Sequence, residues 1–269
     1  MSIFLVSYIT SHNDASRNLE ASLKKYNYNY KFIGIGEKWK GFVQGKIKSL
    51  YNYLSSHLGR DHDIVCIVDG YDILANGPPE ELRSKYEKEK CEILYGCEKF
   101  CFSYNGIPID KYKNFSLWSV RKHLNGGFCI GKRESILKLY KWIIEHDDCN
   151  DDQKLACRYA NIFKNKIKID LHQNIVFNTI TRFDTNNFIF KNKRIYIPSF
   201  NSFPCFIHFP SSEADKHERF NHYGKYILGK KFIILRSNKT SYNFFAHFEL
   251  YIAIIFLLLN VVLKLILVF

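Results

Sequence analysis

The run Ile64–Val68 constrains the fold more than any other part of this sequence. All five of its residues are apolar (Ile-Val-Cys-Ile-Val), and an aspartate lies on each side of it. Such a run is typical of a strand buried on both faces, as in a parallel sheet that helices cover. Strand-like and amphipathic segments alternate over the first hundred residues, so we predict an α/β, Rossmann-like, mostly parallel central sheet with helices on both faces.

The remaining elements are predicted from the same kinds of pattern. An Asn or Asp cap and a Pro-Pro-Glu-Glu start mark two helices, and apolar periodicity marks the others. We predict strands at residues 1–10 and 30–35 and near 128–130, helices after Asn13 or Asp14, over 47–58, from Pro79, near 133–145 and 152–163, and short strands around Ile167, Val176, Phe188 and Phe206. No repeat and no linker divides residues 1–235, which we interpret as one domain.

Composition excludes several classes of protein. Hydrophobic residues make up 46% of the 269 residues and charged residues 24%, which is globular usage and argues against a disordered or fibrous chain. The formal net charge is +13, but the basic residues are scattered, so we predict no nucleic-acid partner. Attraction to anionic substrates or to an anionic membrane surface accounts for the excess equally well.

The eight cysteines show neither a CxxC pair nor the spacing of a zinc site. Cys66 and Cys129 lie within apolar runs and are expected to be small core residues. We therefore predict reduced thiols, with a Cys97–Cys101 disulfide as the alternative.

The two ends of the chain differ in character. The N-terminus has the pattern of a buried strand rather than of a signal peptide. Leu250–Phe269 is apolar except for Asn260 and Lys264, and its about 20 residues would span about 30 Å as a helix. Basic residues precede it, so we predict a linker over 236–249 and a C-terminal membrane anchor over 250–269, with the domain on the cytosolic side. The alternative is a core helix of the domain.

Two acids follow the buried strand directly. Asp69 and Asp72 stand three residues apart, and Gly70 between them allows a sharp turn. Ligands of α/β sheets bind beyond the carboxyl ends of the strands. Carboxylate oxygens suit Mg²⁺ or Mn²⁺, which can neutralise a diphosphate. A surface turn is the alternative interpretation of such a pair. Two acids leave a coordination shell incomplete, and His208, at the end of a short apolar strand, is the candidate third ligand.

Taken in order, the motifs resemble the glycosyltransferase domain of the procollagen lysyl hydroxylase/glycosyltransferase family, which is related to the collagen galactosyltransferases. The resemblance covers residues 3–228. It rests on seven segments: Gly34–Gly41, Gln44–Lys46, Val68–Leu74, Leu124–Gly131, Asp147–Gln153, Ile169–Asp170 and Phe206–His208.

The resemblance implies a GT-A fold that uses a UDP-sugar and Mn²⁺ or Mg²⁺. It implies that Asp69, Asp72 and His208 are the metal ligands. For the donor nucleotide it implies contacts by Tyr8, Ile9, Thr10, Gly70 and Tyr71, with Tyr71 against the uracil ring. It also implies that Asp151 and Asp152 hold the donor sugar, and that Trp39, Lys46 and Asn125 line the donor or acceptor site.

Two further expectations concern the acidic run, Asp147–Asp152, and the segment after His208. Asp151 or Asp152 can cap the following helix, and we expect a capped helix that directs a carboxylate at sugar hydroxyls. Where the family has a glycine-rich phosphate-binding segment, this chain has Phe209–Lys216, in which Ser211, Ser212 and Lys216 are the candidates for phosphate contacts.

These inferences predict a metal-dependent hexosyltransferase that uses UDP-glucose or UDP-galactose. Its acceptor would be a hydroxyl, such as that of hydroxylysine or galactosyl-hydroxylysine in a collagen-like protein. The alternative is a catalytically inactive, membrane-anchored protein of the same fold that binds nucleotide-sugars.

Overall fold

A computed structural model describes residues 3–57, 64–98, 123–179, 188–210, 223–224 and 228. All of them lie within Met1–Phe232, the first of two units into which the chain divides. The elements are β1 (Ile3–Tyr8), α1 (Asp14–Lys25), β2 (Asn29–Ile33), a π-helix (Phe42–Ile47), α2 (Lys48–His57), β3 (Ile64–Val68), β4 (Ile73–Ala75), α3 (Pro79–Lys88), β5 (Ile93–Glu98), β6 (His123–Lys132), α4 (Arg133–Glu145), α5 (Asp152–Ile162), β7 (Ile167–Ile169), β8 (Val176–Asn178), β9 (Ile189–Lys191), β10 (Arg194–Tyr196), a 3₁₀-helix (Pro198–Phe200) and β11 (Phe206–His208).

A six-stranded sheet in the order β2-β1-β3-β6-β5-β7 forms the centre of the domain. β3 is buried along its whole length, as the apolar run predicted. Val65 and Ile67 pack in a cluster with α2, α4 and α5, whereas Cys66 and Val68 pack in a second cluster with α1 and α3. Helices therefore cover both faces of the sheet, and the α/β class is confirmed.

One strand departs from the parallel arrangement. β6 is antiparallel to both of its neighbours, β3 and β5, while the other pairings in this sheet are parallel. The apolar pattern that predicted a strand at 128–130 carries no information on strand direction. The reversal has a consequence for the site, because the start of β6 lies at the edge of the sheet where β3 and β5 end.

A second sheet has three strands in the order β4-β11-β8, and its strand β4 follows β3 directly in the chain. β11 runs antiparallel to β4 and parallel to β8. Its core contains Phe177, Ile207 and Phe209, all of which are buried. This small sheet fixes where the chain places His208, the last residue of β11.

The predicted helices are confirmed with small shifts of their ends. Asn13 caps α1, with Ser16 completing a reciprocal capping box, and Pro79 begins α3. The π-helix Phe42–Ile47 was not predicted, because the apolar spacing of 47–58 indicates only the α-helix that follows it.

The predictions on cysteines and on the membrane segment have different outcomes. Cys66 and Cys129 are buried as expected, and the described cysteines form no disulfide. Cys101 lies outside the described residues. In the described ranges, no helix combines the length and apolarity needed to cross a bilayer. The predicted linker 236–249 and the predicted anchor Leu250–Phe269 lie outside the described residues.

Candidate functional site

The turn after β3 is held tightly against the end of β1. The backbone N–H of Asp69 donates to the carbonyl of Gly127 at 2.9 Å, which continues the pairing of β3 with β6. A Cβ on Gly70 would lie 2.0 Å from Cγ2 of Ile9, so only glycine fits this turn. The side chains of Asp69 and Asp72 are thereby presented beyond the carboxyl end of the central strand.

The small sheet brings His208 to the two acids from a distant part of the chain. In the antiparallel pair of β11 and β4, His208 lies opposite Ile73, and the N–H of Phe209 donates to the carbonyl of Asp72 at 2.8 Å. His208 Nε2 lies 3.4 Å from Asp72 Oδ1. Asp69, Asp72 and His208 each offer a ligand atom within 4.8 Å of the others, so the predicted convergence is confirmed. These three residues are called the ion cluster below.

The donor set of the ion cluster fits a divalent cation. Two carboxylates and an imidazole are ligands that Mn²⁺ accepts, and the carboxylates also suit Mg²⁺. His208 is 1% exposed, yet its Nε2 has no hydrogen-bond partner among the residues that the structure describes. A buried nitrogen of this kind carries a free-energy cost that a bound cation would offset.

Close packing leaves little room for His208 to move. A Cβ on Gly127 would lie 2.2 Å from Cε1 of His208 and 3.0 Å from Oδ2 of Asp69. The absent side chain of Gly127 therefore makes space for the imidazole ring.

Lys46 connects the ion cluster to the acidic run. The π-helix directs its amine into the protein, where Nζ lies 2.7 Å from Asp69 Oδ1 and 3.1 Å from Asp152 Oδ2. Burial by itself would lower the pKa of Lys46, but the charges of Asp152 and Asp69 outweigh burial and raise it. Lys46 is therefore a permanently charged ammonium group beside the ion cluster.

The two neighbouring acids of the acidic run have separate positions. Asp151 is the N-cap of α5, and its Oδ1 accepts from the backbone N–H of Lys154 at 2.9 Å. Asp152 points into the protein toward Lys46, and burial raises its pKa while the amine opposes the rise. The expected cap is Asp151, and Asp152 is the carboxylate that the helix start directs inward. That this carboxylate meets sugar hydroxyls stays a prediction.

A hydrogen-bonded contact joins the acidic run to the π-helix. Asn150 Oδ1 accepts from the backbone N–H of Val43 at 2.9 Å, and Gln44 Nε2 donates to Asp147 Oδ2 at 3.0 Å. Gly41, at φ +92°, precedes the π-helix, and a Cβ there would lie 2.0 Å from Nδ2 of Asn150. This contact fixes the element that carries Lys46 relative to the loop that carries Asp152.

Glu98 is a site residue that the sequence analysis missed. It ends β5, is 2% exposed, and accepts from Asn125 Nδ2 and from Gln153 Nε2, each at 3.1 Å. Gln153 Oε1 in turn accepts from the backbone N–H of Gly126 at 2.8 Å. An acid at the end of an apolar strand is the same signal that singled out Asp69, and applying it to Ile93–Glu98 would have found Glu98.

The residues predicted to contact the nucleoside form one neighbourhood around the end of β1. The hydroxyl of Tyr71 accepts from the backbone N–H groups of Thr10 and Ser11 at 2.9 and 3.1 Å and donates to the carbonyl of Ser11 at 3.0 Å. Burial raises the pKa of Tyr71, but these hydrogen bonds outweigh burial and lower it. The ring of Tyr71 is thus fixed across the strand end. Ile9 is fully buried and offers only its backbone there.

Tyr8 and Trp39 lie on the outer side of this neighbourhood. The hydroxyl of Tyr8 donates to Glu37 Oε2 at 3.1 Å, and its ring lies 6.0 Å from that of Trp39. Trp39 is 49% exposed and lies edge-on to Phe42. Trp39 therefore keeps an exposed aromatic face near the candidate site. Ser211, Ser212 and Lys216, the candidates for phosphate contacts, lie outside the described residues.

Comparison with known proteins gives a consistent result. The sequence model of a family described as "PLOD GT domain" matches residues 1–233. The human multifunctional procollagen lysine hydroxylase and glycosyltransferase LH3 is 23% identical over 244 residues, which cover 84% of this chain and 31% of that protein. The procollagen-lysine,2-oxoglutarate 5-dioxygenase 1 of Gallus gallus is 22% identical over 241 residues, with 84% and 32% covered. The chain thus spans about a third of the length of these relatives.

Among solved structures, one similar fold is that of a glycosyltransferase involved in the glycosylation of the major capsid of PBCV-1. The TM-score is 0.52 at 11% sequence identity, with 82% of this chain and 99% of that chain covered. At this level of identity the similarity concerns the fold, which is that of a glycosyltransferase.

Proposed function

Since this chain belongs to the PLOD GT domain family, we propose that it is a metal-dependent glycosyltransferase that moves a hexose from a UDP-sugar to a hydroxyl acceptor. Membership confirms the resemblance drawn from the motifs. The observation that carries the proposal is the ion cluster, in which ligand atoms of Asp69, Asp72 and His208 lie within 4.8 Å of one another at the carboxyl end of the central strand.

The ion cluster would hold Mn²⁺ or Mg²⁺. When bound, the cation would supply positive charge that neutralises the donor diphosphate and the negative charge of the leaving nucleotide. Lys46 adds a fixed ammonium group next to Asp69, with its Nζ 2.7 Å from Asp69 Oδ1. Its position supports a role in orienting that carboxylate.

The remaining residues would bind the two substrates. Tyr71 and the backbone of Tyr8–Thr10 would hold the nucleoside, with the fixed ring of Tyr71 against the uracil. Asp152 would accept hydrogen bonds from hydroxyls of the donor sugar. In the transfer, the acceptor oxygen would form a bond to the anomeric carbon, the bond from that carbon to UDP would break, and the proton of the acceptor hydroxyl would pass to the solution.

The acceptor is proposed from the relatives alone. Their names combine lysine hydroxylation of procollagen with glycosyl transfer, so hydroxylysine or galactosyl-hydroxylysine in a collagen-like protein is the acceptor class to test. Glu98 and Asn125, which are hydrogen-bonded to each other at 3.1 Å, supply buried polar groups that would suit a hydroxyl-bearing acceptor or donor.

Donor hydrolysis with Mn²⁺ tests the proposal. UDP release from UDP-glucose, UDP-galactose and their N-acetyl forms should require Mn²⁺ and should fall at least about 100-fold in Asp72→Ala, because that variant loses a proposed ligand. Asp14→Ala, which removes an exposed carboxylate on α1, is the matched control and should keep full turnover. Metal-dependent UDP binding without any turnover would favour the inactive, nucleotide-sugar-binding alternative. Equal activity of Asp72→Ala and wild type would exclude the ion cluster as the metal site.

We also propose, on the sequence alone, that Leu250–Phe269 anchors the domain to a membrane with the domain on the cytosolic side. Deleting these residues should move the protein from the membrane fraction to the supernatant while turnover is retained. A truncated protein that aggregates or unfolds would instead assign the segment to the core.

A further inference from the structure

Asn178 connects the ion cluster to the buried loop that follows β7. It is the last residue of β8, it is fully buried, and it lies in register with His208 on the parallel strand β11. Residues in register on neighbouring parallel strands direct their side chains to the same face of the sheet. His208 Nδ1 and Asn178 Oδ1 are accordingly 2.7 Å apart.

The contact with Cys97 determines which way the amide of Asn178 faces. Its Nδ2 donates to the backbone carbonyl of Cys97 at 2.8 Å, and its backbone N–H donates to Gln173 Oε1 at 3.1 Å. Gly96 makes this approach possible, since a Cβ there would lie 2.9 Å from Asn178 Nδ2. With the amide reversed, its oxygen would face the carbonyl of Cys97 at 2.8 Å, two acceptors with no proton between them. The oxygen of the amide is therefore the atom that faces His208.

The orientation of the amide decides which imidazole nitrogen carries the proton. An oxygen at 2.7 Å requires a donor, so Nδ1 bears hydrogen and donates to Asn178 Oδ1. In the neutral ring, Nε2 is then left with its lone pair, and it is Nε2 that lies 3.4 Å from Asp72 Oδ1, on the side of the ion cluster. A metal ligand needs this unprotonated nitrogen.

We propose that Asn178 is a positioning residue for the metal site: it accepts from Nδ1–H of His208 and thereby holds Nε2 ready to bind the cation. This inference rests on the proposed function, because it takes the ion cluster to be the metal site. Partners that hold the second nitrogen of a ligating histidine typically change metal affinity by about 10- to 100-fold.

Two substitutions at Asn178 separate this role from a structural one. Asn178→Leu and Asn178→Asp both lose the hydrogen bond to the carbonyl of Cys97, but only the leucine also removes the acceptor for Nδ1–H. Mn²⁺ binding to the full-length chain, without nucleotide, is measured by the electron paramagnetic resonance signal of the free ion. We expect Mn²⁺ affinity to fall at least about 10-fold in Asn178→Leu and to stay within about threefold of wild type in Asn178→Asp.

Asn76→Leu is the matched control. Asn76 is also a fully buried asparagine beside the small sheet, and its Nδ2 donates to the carbonyls of Ile195 and Pro204 at 2.9 and 2.8 Å. Its replacement should lower the melting temperature while the Mn²⁺ affinity of the folded protein stays within about threefold of wild type. Equal losses of affinity in Asn178→Leu and Asn178→Asp, or no loss in Asn178→Leu, would overturn the inference. A wild type that binds no Mn²⁺ would instead overturn the proposed metal site.

A spectroscopic measurement on the wild type tests the same inference without a buried substitution. The ¹⁵N shifts of labelled histidine distinguish protonated from unprotonated ring nitrogens, and His208→Gln identifies the signals of His208. We expect the metal-free ring to carry its proton on Nδ1. A proton on Nε2 would overturn the inference even if the Asn178 variants do not fold.

Discussion

Two groups of buried polar residues meet at Asn178: the loop around Asp170 and the ion cluster. They differ in whether their polar atoms have hydrogen-bond partners. In the loop after β7, Asp170 is 2% exposed, and its carboxylate accepts from the backbone N–H groups of Asn174, Ile175 and Val176 at 3.1, 2.7 and 2.9 Å. In the ion cluster, His208 is buried to the same degree, yet its Nε2 has no hydrogen-bond partner within the described ranges.

The difference indicates what each cluster does. A buried carboxylate with three N–H donors fixes the shape of the loop that leads into β8, because leaving those donors without an acceptor would be costly. A buried nitrogen without a hydrogen-bond partner lowers the stability of the fold by itself and is retained where a ligand completes it. We therefore expect substitutions in the two clusters to separate stability from metal binding.

The largest expected effect is on stability, from Asp170→Ala. Three buried N–H groups would lose their acceptor, so we expect the free energy of unfolding to fall by at least about 3 kcal/mol. Urea unfolding followed by circular dichroism measures this fall, and Asp14→Ala, at an exposed carboxylate, should change it by about 0.5 kcal/mol or less. If Asp170→Ala instead abolishes Mn²⁺ binding in a protein of unchanged stability, the two clusters are not separate.

The second prediction concerns pH. Burial raises the pKa of Asp170 from 3.8 to about 6, against the lowering effect of the three backbone hydrogen bonds. A raised pKa means that the folded protein favours the protonated carboxyl, so this stabilisation is complete below pH 3.8 and is lost as the pH rises through about 6.

The wild type should therefore lose up to about 3 kcal/mol of unfolding free energy between about pH 4 and pH 7 through this one group. Urea unfolding of wild type and of Asp170→Asn at matched pH values isolates the contribution of Asp170, because the amide does not titrate. The unfolding free energy of wild type minus that of Asp170→Asn should therefore fall over that range by up to about 3 kcal/mol. A constant difference would show that Asp170 is ionised throughout.

The smallest expected effect comes from filling the space beside His208. In Gly127→Ala, the new Cβ would meet the imidazole at 2.2 Å and displace it, so we expect the affinity for Mn²⁺ to fall by about 10-fold. Gly126→Ala is the matched control, because its Cβ would lie 3.3 Å from the side chain of Gln153, which can shift. Mn²⁺ titration followed by electron paramagnetic resonance compares them, and equal affinities would show that the imidazole has room to move.

Much of the site could be predicted because its residues follow local signals. Asp69 and Asp72 follow the buried strand β3, and the cap at Asp151 follows from its place before an amphipathic helix. Asn178 and Gln173 carry no such signal, because their contacts are made across the fold. The side chain of Asn178 bonds to Cys97 and His208, and the side chain of Gln173 bonds to Cys97 and to the backbone N–H of Asn178. The π-helix that carries Lys46 could not be predicted either. It differs from an α-helix in its hydrogen bonding, and the spacing of its apolar residues does not reveal that difference.

The sequence by itself determined the α/β class, most helices and strands, and the acids that lie beyond the buried strand. It did so because burial periodicity and capping are short-range properties of a chain. Tertiary structure decided the direction of β6, which brings Asn125 and Gly127 to the ends of β3 and β5, and the pairing of β11 with β4 and β8, which sets His208 beside Asp72 and Asn178. Strand direction and long-range register depend on which surfaces pack together, and no single segment of the chain contains that information.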